Sequence, residues 1–423
     1  MKFADRVGRV EPSATLAVSN RAAELREEGA DVVNLSVGEP DFPTPRNIVD
    51  AAEDALEAGN TGYTSSNGIP ELKRAIAEKL QGDGLHYGPG NVIVTPGAKQ
   101  ALYETITTLV DDGDEVVLLD PAWVSYEAMV KLAGGDLTRV DLSPYGFQLE
   151  PALDDLAAAV SDDTDLLVVN SPNNPTGAVY TDAALEGVRD LAVEHDVTVI
   201  SDEIYQHICY TDEPTSLGTL DGMADRTVTI NGFSKAYSMT GWRLGYLAGP
   251  EELVGEAGKL HSHSVSCAVN FVQHAGVEAL ENTDDAVDEM VQAFAERREY
   301  LLDRLAEHDV DVPEPQGAFY MMVPVADDDQ SWCMDALDDA HVATVPGSAF
   351  GTPGYARISY ANSKERLGEA VDRLADAGYL CRAAPAVLRR CRRSRVSRPR
   401  RPAGVPTRGA PRSRCRVARV PPR

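Results

Sequence analysis

Short apolar runs alternate with amphipathic segments through the middle of the chain. Six runs, at 92–95, 115–120, 166–170, 198–202, 227–231 and 245–248, predict strands, and most have apolar residues at consecutive positions. Such strands are typical of a mainly parallel sheet that is buried on both faces. Helical periodicity covers 46–58, 69–79, 99–109 and 183–195, so the pattern predicts a doubly wound α/β domain.

The regions on either side of this alternation have a different pattern. A helix at 19–28 and a strand at 32–35 precede a Gly/Pro-rich segment at 38–45, where prolines forbid a continuous helix or a central strand. A long helix at 284–308, strands at 318–325, 342–345 and 355–359, and a last helix at 364–377 follow the alternation. We therefore expect residues 1–45 and 285–380 to form a small α+β domain beside a large domain at 46–284.

Charge is distributed unevenly along the 423 residues. The net charge is −28, yet residues 381–423 contain fifteen arginines and no Asp, Glu or Lys. Residues 1–380 therefore carry 24 basic and 67 acidic side chains, far more acidic charge than solubility requires, and they would repel one another at low salt. This favours a cytoplasm rich in salt and argues against general nucleic-acid binding.

Residues 381–423 have no periodicity, and Arg, Pro, Ala and Gly dominate them. One interpretation is a basic, disordered tail that binds nucleic acid. The other, which we favour, is a translated frameshift of a GC-rich gene, because out-of-frame codons of such a gene yield this composition. An intact mass that includes the tail would contradict the second interpretation.

Composition and cysteine spacing exclude several classes of protein. No apolar stretch is long enough to span a bilayer, and the first ten residues lack the apolar core of a signal peptide. We therefore expect a cytoplasmic protein without a membrane partner. The six cysteines form no C-x-x-C pair and no histidine cluster accompanies them, so neither a metal site nor a disulfide framework is expected.

A lysine follows the apolar strand that is predicted at 227–231. Ser234 and Lys235 come immediately after the strand and a glycine, and Arg243 follows eight residues later. A lysine amine at the carboxyl edge of a sheet can form a Schiff base with an aldehyde cofactor. Ser234 and Arg243 are suited to a phosphate group. A solvated surface lysine would fit the same position, so this segment alone is ambiguous.

Three other strand ends carry polar or small residues. Asp202 ends an apolar strand, where a buried carboxylate needs a partner such as a protonated ring nitrogen, although it could instead cap a following helix. Tyr205 shares that face and could reach the same ligand. Asn174 lies in a Pro/Asn/Gly turn and could donate to a ligand. Backbone N–H groups at 97–99, where a helix begins, could bind phosphate.

Several motifs, in the same order along the chain, resemble those of the class I/II, fold-type I aminotransferases that depend on pyridoxal 5′-phosphate (PLP), particularly the prokaryotic aspartate aminotransferases. The resemblance covers residues 12–380 and rests on PSAT at 12–15, VGEPDFPTP at 37–45, GYTSSNGIPELKRAI at 62–76, NSPNNPTGAVY at 170–180, SDEIY at 201–205, FSKAYSMTGWRLGY at 233–246, PQGAFY at 315–320, and VPGSAFG and ARISYA beyond it. It implies a large domain, with a mainly parallel seven-stranded sheet between helices, and a small α+β domain.

The resemblance also implies a role for each matching residue. Lys235 would hold PLP as a Schiff base and move a proton, and Asp202 would keep the pyridine nitrogen protonated. Further cofactor contacts would come from Trp123 on the ring, from Asn174 and Tyr205 at the 3′ oxygen, and from a phosphate cup of Gly97, Ala98, Lys99, Ser234 and Arg243. The substrate would contact Arg357 through its α-carboxylate, and also Gly38, Trp123, Asn174 and Thr15. Tyr63 would reach the phosphate of a neighbouring subunit, which makes a homodimer part of the site.

The implied reaction is a ping-pong transfer of an amino group between an amino acid and a 2-oxo acid. It needs an electron sink, a base near Cα and a cation for the carboxylate, which Asp202, Lys235 and Arg357 would supply. The base must be neutral, and we expect burial and Arg243 to lower the pKa of Lys235. Aspartate and 2-oxoglutarate are the first candidates, although the sequence identifies no cation for a distal carboxylate.

Three alternatives remain open from the sequence. The donor could be an aromatic or another neutral amino acid. A PLP-dependent C–S lyase would use the same lysine and aspartate. A transcription regulator with an aminotransferase-like domain usually carries an N-terminal helix-turn-helix, for which we expect no room before residue 12.

Overall fold

Helices and strands alternate along the part of the chain that this computed structural model describes, residues 1–11, 14–211, 214–326 and 328–380, with the backbone only at 14–16. The helices are α1 (Ala14–Glu27), α2 (Arg46–Glu57), α3 (Pro70–Gly82), α4 (Ala98–Leu109), α5 (Val124–Ala133), α6 (Leu153–Ala159), α7 (Asp182–Glu194), α8 (Glu251–Ser264), α9 (Asn270–Asn282), α10 (Asp284–Ala306), α11 (Asp329–Ala340) and α12 (Lys364–Asp376). The strands are β1 (Val33–Asn34), β2 (Val92–Thr95), β3 (Glu115–Asp120), β4 (Asp136–Asp141), β5 (Thr164–Asn170), β6 (Thr198–Asp202), β7 (Thr227–Gly232), β8 (Gly245–Ala248), β9 (Tyr320–Pro324), β10 (Val342–Ala343), β11 (Val345–Pro346) and β12 (Tyr355–Ser359). The predictions for the tail at 381–423 lie outside the described residues.

The central sheet has seven strands in the order β2-β8-β7-β6-β5-β3-β4. Strands β3 to β7 run parallel to one another, whereas β8 is antiparallel to both of its neighbours. This confirms the predicted mainly parallel, seven-stranded sheet. Asn170 at the end of β5 pairs with Asp202 at the end of β6, which in turn pairs with Ile230 near the end of β7. Three of the polar strand ends therefore meet at one edge.

Helices cover both faces of this sheet. Val199 and Ile200, consecutive residues of β6, belong to different core clusters because side chains alternate across a strand. One cluster includes Leu156 and Val188 from α6 and α7, and the other includes Ile106 from α4 together with residues of α5 and α8. Burial on both faces explains the continuous apolar runs in the sequence. No helix among the described residues is long and apolar enough to cross a membrane.

The second structural region contains two small sheets. Strands β9, β12 and β11 form an antiparallel sheet, and β1 pairs in parallel with β10. One apolar cluster joins Val33 and Leu35 from the N-terminal segment to Phe294, Tyr320 and Leu367. The N-terminal segment therefore packs with the C-terminal elements, in keeping with a small α+β domain, while the boundaries after residues 45 and 284 stay a prediction.

Four details of the sequence prediction are wrong or incomplete. The apolar pattern misses β4, because this edge strand buries only Val140 among its six residues. It also misses α5, α6, α8 and α9, and α1 begins at Ala14 rather than at residue 19. The single strand expected at 342–345 is two strands, β10 and β11, because the chain passes at Thr344 from one small sheet to the other.

Candidate active site

A cavity of about 630 Å³ opens at the carboxyl edge of the central sheet. It brings together side chains from many separate stretches of the sequence. The residues of the sequence prediction that line it are Gly38, Ala98, Lys99, Trp123, Asn174, Asp202, Tyr205, Ser234, Lys235, Arg243 and Arg357. Four basic side chains, Lys99, Lys235, Arg243 and Arg357, outnumber the two acidic ones, Glu39 and Asp202, among the described residues that line the cavity, so it favours an anionic ligand.

Lys235 lies in the loop after β7 and is half-buried. Its amine donates to the carbonyl oxygen of Gly38 at 2.5 Å and lies 5.5 Å from the ring centre of Tyr205. Burial lowers its pKa to about 8, and Arg357 contributes more to this shift than Arg243. The expected direction is therefore correct, but the sequence names the lesser of the two arginines. A lysine with this pKa is partly neutral near pH 8 and can act as a base or a nucleophile.

Asp202 occupies the last position of β6, where its carboxylate is buried. One carboxylate oxygen accepts from the Tyr126 hydroxyl at 2.6 Å, and the other accepts from the backbone N–H of Ile204 at 3.2 Å. No helix begins within the described residues 203–211, so the alternative role as a helix cap is wrong. Burial raises the pKa of Asp202 to about 6 despite both hydrogen bonds. A buried carboxylate of this kind is stabilised by a cation such as a protonated ring nitrogen.

Arg357 comes from β12 and reaches across to the central sheet. Its guanidinium donates to the side-chain oxygen of Asn174 at 3.1 Å and to the carbonyl oxygen of Ser36 at 2.6 Å. The rings of Tyr320 and Phe350 lie 4.6 and 5.1 Å from it. Its Nε is buried without a hydrogen-bond partner, and burial lowers the pKa of the side chain. An unpaired donor on a buried cation fits a carboxylate ligand.

The start of α4 forms a narrow anion site with Arg243. Gly97 precedes the helix with φ +86°, and a Cβ atom built on it would lie 2.4 Å from the Arg243 guanidinium. Gly245 lies equally close, since a Cβ atom there would be 2.4 Å from the backbone nitrogen of Ala98. The two glycines leave room for Arg243 beside the unpaired N–H groups of the helix start, while Ser234 is buried nearby. This combination is typical of a phosphate site.

Three further residues complete the site and are absent from the sequence prediction. Tyr126 donates its hydroxyl hydrogen bond to the Asp202 carboxylate. Asn170 donates to the Asp202 carbonyl oxygen at 2.8 Å and accepts from the Asn174 N–H. The Tyr320 hydroxyl lies 2.9 Å from the Tyr205 hydroxyl. Asn170 and Tyr320 lie in motifs that carry the resemblance, and Tyr126 follows Trp123 by three residues, but spacing alone gives no signal for contacts between loops.

Two predicted residues with fully described positions, Gly97 and Tyr63, are not among those that line this cavity. Tyr63 is 90% exposed. Thr15 lies in α1 and its side chain is outside the described part of the structure, although Ser19 on the same helix lines the cavity. Within the described ranges, no group of three or more His, Cys, Asp or Glu side chains could hold a metal ion.

Comparison with known proteins decides the family. The model of the family described as aminotransferase class I and II matches residues 30–374. The chain belongs to this family. An aspartate aminotransferase of Thermotoga maritima is 42% identical over 375 residues, 88% of this chain and 98% of the relative. An aspartate/prephenate aminotransferase of Thermus thermophilus is 43% identical over 378 residues, 88% of this chain and 97% of the relative.

Solved structures give the same family and the same fold. The aspartate aminotransferase of Thermus thermophilus with maleate has a TM-score of 0.86 and 42% identity, covering 89% of this chain and all of that one. An aromatic aminotransferase of Pyrococcus horikoshii has a TM-score of 0.79 and 42% identity, covering 85% and 98%. The fold-type I architecture and the PLP-dependent aminotransferase activity that the sequence predicts are therefore confirmed.

The described side chains fit PLP. The α4 start suits its phosphate, because the missing side chain of Gly97 lets the Arg243 guanidinium lie beside the first N–H groups of the helix. The buried Asp202 suits the protonated ring nitrogen, and the Lys235 amine with its depressed pKa suits the aldehyde. Arg357 with its unpaired Nε remains for the substrate.

Proposed function

We propose that this aminotransferase moves the amino group of aspartate to 2-oxoglutarate in a ping-pong reaction. The observation that carries the proposal is that one cavity contains both Arg357 and a second basic side chain, Lys99, as a substrate with two carboxylates requires. The relatives named aspartate aminotransferase support the same substrate. An aromatic aminotransferase is also among the similar structures, so aromatic donors are the second candidate.

PLP, when bound, supplies the electron sink that a bond at Cα needs in order to break. The chain supplies binding, orientation and proton transfer. Arg357 and Asn174 bind the α-carboxylate and orient Cα, while the Lys235 amine removes and returns the Cα proton. Asp202, held by Tyr126, keeps the proton on the ring nitrogen. The depressed pKa of Lys235 makes a neutral amine accessible near pH 8.

Lys99 is our candidate for recognition of the distal carboxylate. Four basic side chains of the described residues line the cavity. Arg243 contacts the chain just before α4, Arg357 contacts Asn174, and Lys235 is the proposed base. Lys99 is therefore the basic side chain that remains to bind a distal carboxylate. Its amine lies 4.8 Å from the ring centre of Trp123, the predicted stacking residue. This assignment differs from the sequence prediction, where Lys99 serves the phosphate only through its backbone.

The Lys99→Gln variant is expected to lose about 10- to 100-fold in kcat/KM toward aspartate, the usual contribution of a hydrogen bond to a charged group. Toward alanine or phenylalanine we expect less than a threefold change, because these donors have no distal carboxylate. Steady-state kinetics with a panel of amino donors in molar KCl measures both. The exposed Lys364, paired with Glu296, gives the matched control Lys364→Gln. Equal losses of kcat/KM toward all donors would contradict this role of Lys99. Conversion of the donor by elimination, without transfer of its amino group, would indicate a lyase instead of an aminotransferase.

We further propose a homodimer in which Tyr63 reaches the partner's phosphate site. Tyr63 is the most exposed aromatic side chain of the described residues, and exposed Val269 lies on the adjoining loop. Asn270 donates to the carbonyl oxygen of Gly62 at 3.0 Å, so the two loops form one surface. Exposed apolar residues that cluster in this way mark contact surfaces. Sedimentation of the active enzyme as a monomer would contradict the dimer.

We propose that the protein works in a cytoplasm rich in salt. We expect its unfolding temperature to be lower by about 10 °C or more in 0.05 M KCl than in 3 M KCl, because dilute salt no longer screens the 67 acidic side chains from one another. Thermal unfolding followed by circular dichroism measures this. Sucrose at equal osmolality is the control, since it does not screen charge. An unchanged unfolding temperature in dilute buffer would rule the proposal out.

A further inference from the structure

A fully buried carboxylate and imidazole form a pair outside the cavity. Glu104 on α4 and His261 on α8 both have side chains with no exposed surface. The His261 Nδ1 lies 3.0 and 2.9 Å from the two oxygens of Glu104. Neither residue lines the cavity, and none of the chemistry proposed above uses them. Buried charges are costly unless paired, so a pair at this place needs a reason.

Hydrogen bonds surround both members of the pair. The Glu104 carboxyl group also accepts from the Gln100 amide at 2.7 Å and from the Ser264 hydroxyl at 2.9 Å. On the other side, the His261 Nε2 lies 3.0 Å from the carbonyl oxygen of Ser66, which can only accept, so Nε2 carries hydrogen and donates. His261 therefore connects the carboxyl group of Glu104 to the backbone at Ser66.

The pair connects two parts of the phosphate-binding machinery. Glu104 lies on α4, whose first residues form the phosphate site of its own chain. Ser66 lies in the loop between α2 and α3, three residues after Tyr63. The other side-chain donors to this loop, Asn270 to Gly62 and Gln273 to Thr64, are neutral. Among the hydrogen bonds of the described residues, His261 is the only side-chain donor to this loop that is itself held by a buried carboxyl group.

We propose that Glu104 and His261 are positioning residues that fix the Tyr63 loop to α4. The helix that binds the phosphate in one subunit thereby holds the tyrosine that serves the phosphate of the partner. This inference rests on the proposed homodimer. Loss of the Glu104–His261 contact releases the Ser66 carbonyl. The Tyr63 loop then samples more conformations, and fewer of them bring the Tyr63 hydroxyl to the partner's phosphate.

A double-mutant cycle on PLP affinity tests the coupling. Tyr63→Phe is expected to weaken PLP binding about tenfold, the contribution of one hydrogen bond to a charged group. His261→Gln is expected to weaken PLP binding about five- to tenfold. In the double variant, Tyr63→Phe is expected to weaken PLP binding by less than a further twofold relative to His261→Gln alone. PLP dissociation constants of the full chain, measured by absorbance in molar KCl, give these numbers. In His261→Gln, KM for aspartate at saturating PLP stays within twofold.

Hydrogen exchange of the cofactor-free protein supplies an independent readout. Amides at 60–69 are expected to exchange about tenfold faster in His261→Gln, while the central sheet is unchanged. The matched control is His195→Gln, which breaks the exposed His195–Asp162 pair and leaves both readouts unchanged. Should His261→Gln not fold, the double variant Glu104→Gln/His261→Gln leaves no buried charge unpaired and replaces it.

The outcomes separate the two proposals. If Tyr63→Phe leaves PLP affinity unchanged, the contact of Tyr63 with the partner's phosphate is wrong, and exchange at 60–69 alone then decides the positioning role. If Tyr63→Phe weakens binding while His261→Gln does not, or if the two effects add fully, the positioning role is refuted. Unchanged exchange at 60–69 in the His261 variant refutes it as well.

Discussion

The Lys235→Ala variant is expected to lose amino transfer by a factor of about 10⁴ or more, because it removes the base that moves the Cα proton and the amine that binds the cofactor. Coupled assays with aspartate and 2-oxoglutarate in molar KCl measure the loss. The absorbance of the bound cofactor is expected to change in the same variant. Peptide mapping after borohydride reduction of the wild type is expected to find PLP on Lys235.

The fold of this variant is expected to be intact. Burial lowers the pKa of Lys235 to about 8, so below pH 8 the native chain holds a buried ammonium that costs stability. Removing it leaves the cofactor-free protein as stable as the wild type or more stable at pH 7. Lys364→Ala, at an exposed lysine, serves as the control for activity. Retained turnover, or label on another side chain, would contradict the assignment.

The Asp202→Asn variant is expected to lower kcat about 10³-fold, since a neutral amide cannot hold a proton on the ring nitrogen. Asp202→Glu, which keeps the charge, is the matched comparison and is expected to retain more activity. Kinetics at saturating PLP separate a loss in kcat from a loss in cofactor binding. Equal activity of the two variants would show that the charge of Asp202 is not needed.

The wild type is also expected to depend on pH through this carboxyl group. Burial raises the pKa of Asp202 to about 6, so in the cofactor-free chain the group is ionised above pH 6 and becomes neutral as the pH falls through this value. Only the ionised form stabilises a cationic ring. PLP affinity is therefore expected to fall below pH 6 in the wild type and to lack this step in Asp202→Asn.

The buried strands and most of the residues that line the cavity follow well from the sequence, because both rest on local signals. Buried strands show as apolar runs, and Lys235, Asp202 and Asn174 follow the ends of such runs. Edge strand β4 has no such run, since four of its six residues are polar and only one residue is buried. The prediction is therefore strongest where a strand is buried on both faces.

Contacts between distant segments do not follow from the sequence in the same way. Tyr126 meets Asp202 across 76 positions, and Arg357 meets Asn174 across 183. Such distances depend on how loops pack, which no period or spacing encodes. The same holds for the contribution of Arg357 to the pKa of Lys235, which exceeds that of the nearer residue in sequence, Arg243.

The position of Arg357 on β12 has a consequence for how substrates are distinguished. Its guanidinium belongs to the three-stranded sheet, whereas Asn174 and Lys235 extend from the seven-stranded one. A carboxylate bound by both Arg357 and Asn174 contacts residues from both sheets and helps to set the distance from the substrate Cα to the Lys235 amine. Amines that lack this carboxylate should consequently react slowly even at concentrations that fill the cavity.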